Sequence, residues 1–143
     1  MTGGAYLVDT AVLAYAVGGA HPLAAPCREI VRAAGAGQIE LHASVEMVQE
    51  FVFHRMRRTD RLIAVRQARD AAGLCVLHDF DAGVLSIALE LIATTDGLGG
   101  RDAVHAATAL RHGLSIIVSP DRAFDRVPRI RRLDPLTPGD HFA

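Results

Sequence analysis

The sequence predicts an α/β fold of three layers, with a mostly parallel sheet of about five strands covered by helices on both faces. Three observations predict it. Short apolar runs that suit buried strands alternate with segments whose apolar residues recur at helical spacing. No repeat, linker or low-complexity tract breaks that alternation. The 143 residues, half of them hydrophobic, suit one core, so residues 1–143 read as a single domain.

The elements follow in order. Ala5 to Val8 is an apolar run that stops at Asp9-Thr10, as a buried strand would. Ala11 to Val17 reads as a short helical turn ended by Gly18-Gly19. Pro22 sits where a helix can begin, and Leu23, Cys27, Ile30, Val31 and Ala34 continue it to Gly35 and Gly37. Ile39, Leu41 and Ala43 alternate with Glu40 and His42, the period of a second strand. Ser44 is a plausible N-cap, and Val45, Val48, Val52 and Met56 make an apolar stripe behind it. Asp60 can cap a further helix with Ile63, Val65 and Ala68 as its apolar positions. Leu74 to Leu77 is a third strand. Asp79 or Asp81 then starts a helix carrying Val84, Leu85, Ala88, Leu91 and Ile92. After the loop Asp96-Gly97-Leu98-Gly99-Gly100, Arg101-Asp102 opens a helix that Gly113 stops. Ser115 to Val118 and Ile130 to Leu133 are the last strands.

Composition excludes several chemistries. All 15 basic residues are arginine, so no P-loop lysine, Schiff-base lysine or lysine beside a phospho-aspartate is available. Cys27 and Cys75 lack C-x-x-C spacing and read as thiols rather than a disulfide or zinc site. No G-x-S-x-G occurs, and Gly97, Gly99 and Gly100 have no strand directly before them to make a dinucleotide fingerprint. No apolar run approaches the roughly 18 residues of a membrane span. The start of the chain lacks a basic region and meets Asp9 too early for a secretory signal, so a cytoplasmic protein is expected. Net charge is near zero, yet arginines cluster: Arg55, Arg57, Arg58, Arg61, Arg66 and Arg69 form one group, and Arg122, Arg126, Arg129, Arg131 and Arg132 another. Such clusters are ordinarily solvated faces.

Ligands of parallel α/β folds bind beyond the carboxyl ends of the strands. Asp9 ends the first strand, Asp121 follows the fourth, and Asp102 opens a helix after a glycine loop. These acids are expected to converge. Converging carboxylates repel unless a cation joins them, and hard divalent ions take such oxygen ligands. A metal so held can activate water for attack on a phosphodiester. Each acid also has a structural reading: Asp9 and Asp102 as helix caps, Asp121 as a turn residue, Glu50 as part of a solvated stripe with Glu46 and His54. Glu50 and His54 alone make a weak case for zinc. His105 and His112 lie on the Asp102 side of their helix and read as surface histidines.

At these residues the chain resembles the PIN-domain ribonucleases, particularly the toxin halves of VapBC-type toxin–antitoxin pairs. Leu7-Val8-Asp9-Thr10 is similar to the family's first motif, and Ser44 to Phe51 to its second, whose acid falls on Glu50. Gly100 to Leu110 resembles the third motif and is the most specific; Val118 to Asp125 resembles the fourth. The resemblance covers nearly the whole chain. It implies a metal-dependent endoribonuclease using Mg²⁺ or Mn²⁺, with Asp9, Glu50, Asp102 and Asp121 as metal-binding and catalytic acids, supported by Thr10 and Ser119. Glu46 competes with Glu50, and Asp125 with Asp121. The implied partners are an RNA substrate, a small antitoxin protein and a second copy of the chain, with no membrane. Arg57, Arg58 and Arg101 are the candidate RNA contacts. Exposed parts of Val12, Leu13, Ala16, Val17, Val48, Phe51, Val52 and Met56 would form an apolar groove for an antitoxin helix.

Two other functions compete. An aspartyl phosphotransferase also begins with a strand ending in aspartate, but its D-x-D is broken by Ala11 and its phosphate-site lysine is missing. A catalytically silent RNA- or partner-binding module of the same fold would gain nothing from negative charge gathered against phosphates.

Overall fold

The computed structural model describes residues 3–142. Its elements are β1 (Ala5–Val8), α1 (Thr10–Val17), α2 (Ala24–Gly35), β2 (Glu40–Ser44), α3 (Val45–Met56), α4 (Arg61–Leu74), β3 (Cys75–His78), α5 (Ala82–Thr94), α6 (Gly100–Arg111), β4 (Ile116–Val118) and β5 (Arg131–Leu133), with a 3₁₀ turn over Arg122–Arg126. The five strands lie in the order β3-β2-β1-β4-β5. Every pairing is parallel, with Leu7 opposite both His42 and Ile117. The fold class read from the sequence therefore stands.

Strand alternation divides the core. Tyr6, Val8, Leu41, Ala43 and Val118 face one layer, where Cys27, Ile30, Met47 and Phe51 of α2 and α3 pack on them. Leu7 and Ile117 face the other, against Val84 and Ala88 of α5 and Ala103, Ala106 and Ala107 of α6. The small residues of α6 let that helix approach the sheet closely. Chain order reverses direction between β1 and β4, so the carboxyl ends of these two strands mark the switch point of the sheet.

The predicted caps are largely present. The Ser44, Asp60 and Asp81 side chains accept from the backbone N–H of Glu46, Leu62 and Val84 at the starts of α3, α4 and α5. The choice between Asp79 and Asp81 thus falls on Asp81. Gly37 and Gly113 follow α2 and α6 with φ of 75° and 71°, a left-handed conformation that glycine adopts freely.

Some expectations fail. The buried face of α3 is Met47, Phe51 and Arg55, while Met56 is exposed, so the stripe at Val45, Val48, Val52 and Met56 lies on the flank of the packed face. In α4 the buried positions are Ala64, Ala68 and Ala71, with Ile63 exposed. Arg55 leaves the solvated arginine cluster altogether: it is buried and its Nε donates to Gln67 Oε1 at 2.8 Å, joining α3 to α4. Both cysteines are free, as read. Among the described residues no helix is long and apolar enough to cross a membrane.

Candidate active site

Asp9 stands at the N-cap position of α1, yet its side chain makes no capping bond. Instead Oδ2 accepts a 2.7 Å hydrogen bond from Ser119 Oγ, at the end of neighbouring β4. The Ser119 hydroxyl in turn accepts from the backbone N–H of Asp121. One serine therefore ties two of the predicted acids to each other. Thr10, next along from Asp9, donates from Oγ1 to Glu50 Oε2 at 2.9 Å, fixing the α3 acid against α1. Glu50, rather than Glu46, is the α3 acid held at this cluster.

Asp102 lies in the first turn of α6, whose N-cap is Gly99, and makes no capping bond either. Burial pushes its carboxyl up to about 6, and the charges of Asp9 and Asp121 add to that rise. The Asp9 carboxyl is also raised, by burial first, with Glu50 and Asp121 contributing. Glu50 moves the other way. Burial pushes it up, but the His105 side chain, the Thr10 hydroxyl and the Arg101 charge outweigh burial and hold it low. The four acids of the sequence reading thus share one electrostatic site.

Asp121 does double duty, as its Oδ1 accepts from Ala123 N–H and caps the 3₁₀ turn. Asp125 is engaged elsewhere, in an ion pair with Arg132 at 2.9 Å. Of these two acids, Asp121 is the one tied to Asp9 through Ser119.

His105 is the residue that sequence reading misplaced. It is 1% exposed, not a surface histidine, and Nε2 sits 3.5 Å from Glu50 Oε1 and 3.9 Å from Asp9 Oδ1. Neither ring nitrogen has a hydrogen-bond partner. Burial disfavours its charged form, yet Glu50, Asp9 and Asp102 raise its pKa overall. It is a buried base surrounded by acids. Its place three residues after Asp102, on the same helical face, was the available signal. His112 is on the surface as expected, stacked on His78.

Asp9, Thr10 and Glu50 of the cluster also line a groove of about 770 Å³, together with Arg57, Arg58 and Arg101. All three candidate RNA-contact arginines therefore border the acids, and each is exposed. His54 feels the cationic wall: burial first, then Arg58, Arg55 and Arg57, hold its pKa low. A separate apolar cleft of about 260 Å³ runs between Leu13, Ala16 and Val17 of α1, Val31 of α2, Phe51 of α3 and Leu74 of α4. Of the apolar surface expected there, Val12, Leu13 and Phe51 are buried, while Val17 and Met56 remain exposed.

A family model described as the PIN domain matches residues 6–130, from the first strand to the start of the last. The chain belongs to the PIN-domain family. This PIN domain is 39% identical over 121 residues to the ribonuclease VapC7 of Mycobacterium tuberculosis, covering 82% of this chain and 83% of that one. It is 30% identical over 130 residues to the ribonuclease VapC13 of the same organism, covering 89% and 98%. Solved structures of the same shape include VapBC2 from Rickettsia felis bound to a promoter DNA fragment, at a TM-score of 0.71 and 16% identity over 91% of this chain and 98% of that one. Another is Mycobacterium tuberculosis VapC20, described as a sarcin-ricin loop cleaving toxin, at a TM-score of 0.69 and 16% identity over 88% and 98%. At such identities the shape speaks for the PIN fold alone.

Proposed function

We propose that this PIN domain, residues 1–143 acting as one unit, is a metal-dependent endoribonuclease and the toxin half of a toxin–antitoxin pair. The observation that carries the reading is the gathering of Asp9, Glu50, Asp102 and Asp121 at the switch point of the sheet, beside an arginine-walled groove. The curated VapC ribonucleases supply the reaction class. A pure binding module has no use for carboxylates driven against one another where phosphates must approach.

The donor set suits a hard divalent cation, Mg²⁺ or Mn²⁺. All its members offer oxygen, and the upward pressure on Asp9 and Asp102 is what a cation relieves. Among the described residues no group of three His, Cys, Asp or Glu already stands in coordination geometry. Asp9 and Asp102 would hold the cation, with Glu50 and Asp121 beside them. When bound, such an ion neutralises charge on the phosphate and makes a water more acidic.

The chain's own groups do the rest. Ser119 holds the Asp9 carboxylate in one orientation, and Thr10 does the same for Glu50. Glu50, kept low, is ionised at neutral pH and placed to take a proton from the attacking water. The water oxygen bonds to phosphorus as the phosphorus–oxygen bond to the leaving strand's ribose oxygen breaks, and that oxygen takes a proton from solvent. Arg57, Arg58 and Arg101 hold flanking phosphates. The apolar cleft between α1, α2, α3 and α4 is where an antitoxin helix would lay its apolar face, and an antitoxin arginine reaching the acids would compete with the metal. The reading also includes a cytoplasmic setting and a homodimer. For the homodimer, Leu85, Leu89 and Ile92 supply an outward apolar stripe on α5.

The test is cleavage of an RNA panel by purified protein in EDTA, Mg²⁺ or Mn²⁺. Cleavage is expected only with metal, and lost in Asp102→Asn. Metal-independent cleavage, or full activity in folded Asp102→Asn with contaminating nuclease excluded, refutes the assignment.

A further inference from the structure

The groove carries aromatic surfaces that the acid chemistry does not use. Tyr15, at the end of α1, stacks on His21 across the turn at Gly18-Gly19, with ring centroids 4.5 Å apart and planes 30° apart. Both rings line the groove. The pair is built rather than incidental. The His21 ring is oriented by the backbone N–H of Leu23, which donates to Nδ1 at 3.1 Å. The turn that returns His21 to Tyr15 is clamped by Arg28, whose Nε donates to the Ala16 carbonyl and Nη2 to the Gly18 carbonyl, each at 2.9 Å. His21 is exposed, so the outer face of the pair is open to a ligand.

From α3, Phe53 lines the same groove with half of its surface exposed to water, an unusual cost for a phenylalanine. The Arg57 guanidinium lies 5.7 Å from its ring centroid, leaving the ring flanked by positive charge. Aromatic rings and arginines interleaved in one groove match the needs of a strand with unpaired bases: rings for the bases, cations for the phosphates between them. A duplex keeps its bases stacked on one another and offers such rings nothing.

We propose that the Tyr15–His21 pair and Phe53 are base-stacking platforms of this groove, each taking one unpaired base of an RNA held next to the acids. The proposal rests on the nuclease reading and assigns Tyr15, His21 and Phe53 a role in positioning its substrate's bases. The two platforms are specificity-determining positions, since they require splayed bases at fixed places relative to the cleaved bond. No sequence preference follows from stacking alone, because every base has a face to offer.

The experiment uses the whole chain in EDTA, so that binding is read without turnover. Short unstructured RNAs carry 2-aminopurine at one position each, and stacking is read as quenching of its fluorescence. Quenching is expected at two positions. Phe53→Ala should remove it at one, His21→Ala at the other, and each should weaken binding about fivefold to a hundredfold. Phe53→Trp should restore both quenching and affinity. On RNA lacking the base at the matching position, wild type and Phe53→Ala should bind equally, which a variant that merely damages the fold would not do. Absence of quenching at every position, unchanged affinity in both variants, or duplex bound as well as single strand would overturn the proposal. So would variants that bind RNA normally but lose a co-expressed protein partner, because the rings would then serve that protein. Cleavage by the wild type with Mn²⁺, measured in parallel, reports on the nuclease reading separately. Stacking without cleavage keeps the platforms and sinks the nuclease; cleavage without stacking does the reverse.

Discussion

Replacing Asp102 by asparagine should stabilise the metal-free protein while removing its response to metal. Asp102 has an ordinary carboxyl value of 3.8 and is pushed up to about 6 in the fold, by burial first and then by Asp9 and Asp121. The folded chain therefore holds this proton more tightly than the unfolded chain. Ionised Asp102 costs the fold nothing below about pH 4, increasingly more up to about pH 6, and its full penalty above that. Each pH unit corresponds to about 1.4 kcal/mol, which sets a ceiling of about 3 kcal/mol. The side chain is only half buried, and screening by water brings the expectation down to about 1–2 kcal/mol. Asp102 accepts no hydrogen bond among the described residues, so asparagine removes repulsion without breaking a contact. The expected gain is a rise of about 3–6 °C in melting temperature at pH 8 in EDTA. At pH 4 the difference should vanish. Millimolar Mn²⁺ at pH 8 should raise the melting temperature of the wild type and leave Asp102→Asn nearly unmoved. An asparagine variant less stable than wild type at pH 8 in EDTA, or stabilised equally by Mn²⁺, would refute the like-charge account of this site.

Further outcomes follow from other residues. Ser119→Ala strips a donor from Asp9 and an acceptor from the Asp121 N–H, so it should cost about 1–3 kcal/mol in urea titrations and lower cleavage at least tenfold; unchanged cleavage would show that the serine does not orient Asp9. The Arg57→Ala, Arg58→Ala double variant should weaken binding to many RNAs alike and flatten the dependence of binding on salt, by a slope change of about one to two; an identical slope would return these arginines to the solvated surface. Leu89→Glu places a charge in the middle of the outward stripe of α5, where Leu89 is 58% exposed, and should convert a dimer to a folded monomer in sedimentation, with a melting temperature that no longer depends on protein concentration. A wild type that sediments as a monomer at all concentrations would remove the homodimer from the reading.

Most of the fold was legible because its strands are short apolar runs that stop at polar residues: Val8 before Asp9, Ala43 before Ser44, Val118 before Ser119. The same stops mark the acid site, since the switch-point rule turns a strand end into a location. What was not legible depends on side-chain size and on chain reversal. On α3 the valine stripe is as apolar as the Met47–Phe51 row beside it, and only the larger pair fills the space between α3 and the sheet. Arg55 could enter the interior because Gln67 of α4 meets it there, a pairing across twelve residues that periodicity does not reveal. His105 looked superficial because histidines mostly are, and its acid neighbours Asp9 and Glu50 come from two other parts of the chain that helical spacing does not reveal. The Tyr15–His21 stack exists only once Arg28 has folded the intervening turn back on itself.

The division of the core into two layers also governs when the acid cluster can form. Asp9, Thr10 and Glu50 meet on the side built by α1 and α3, whereas Asp102 and His105 arrive with α6 from the other side. Ser119, which orients Asp9, comes later still, just after β4, the strand that adds beside β1. A nascent chain emerging from the ribosome therefore exposes the first half of its acids long before the second half exists. Joining residues 110 positions apart is a slow, long-range step. No fragment short of β4 carries a complete cluster, so under the proposed function the chain gains its cleavage activity only when β4 docks. Under that same proposal, the interval before β4 docks is time in which an inhibitor translated alongside waits for the finished site.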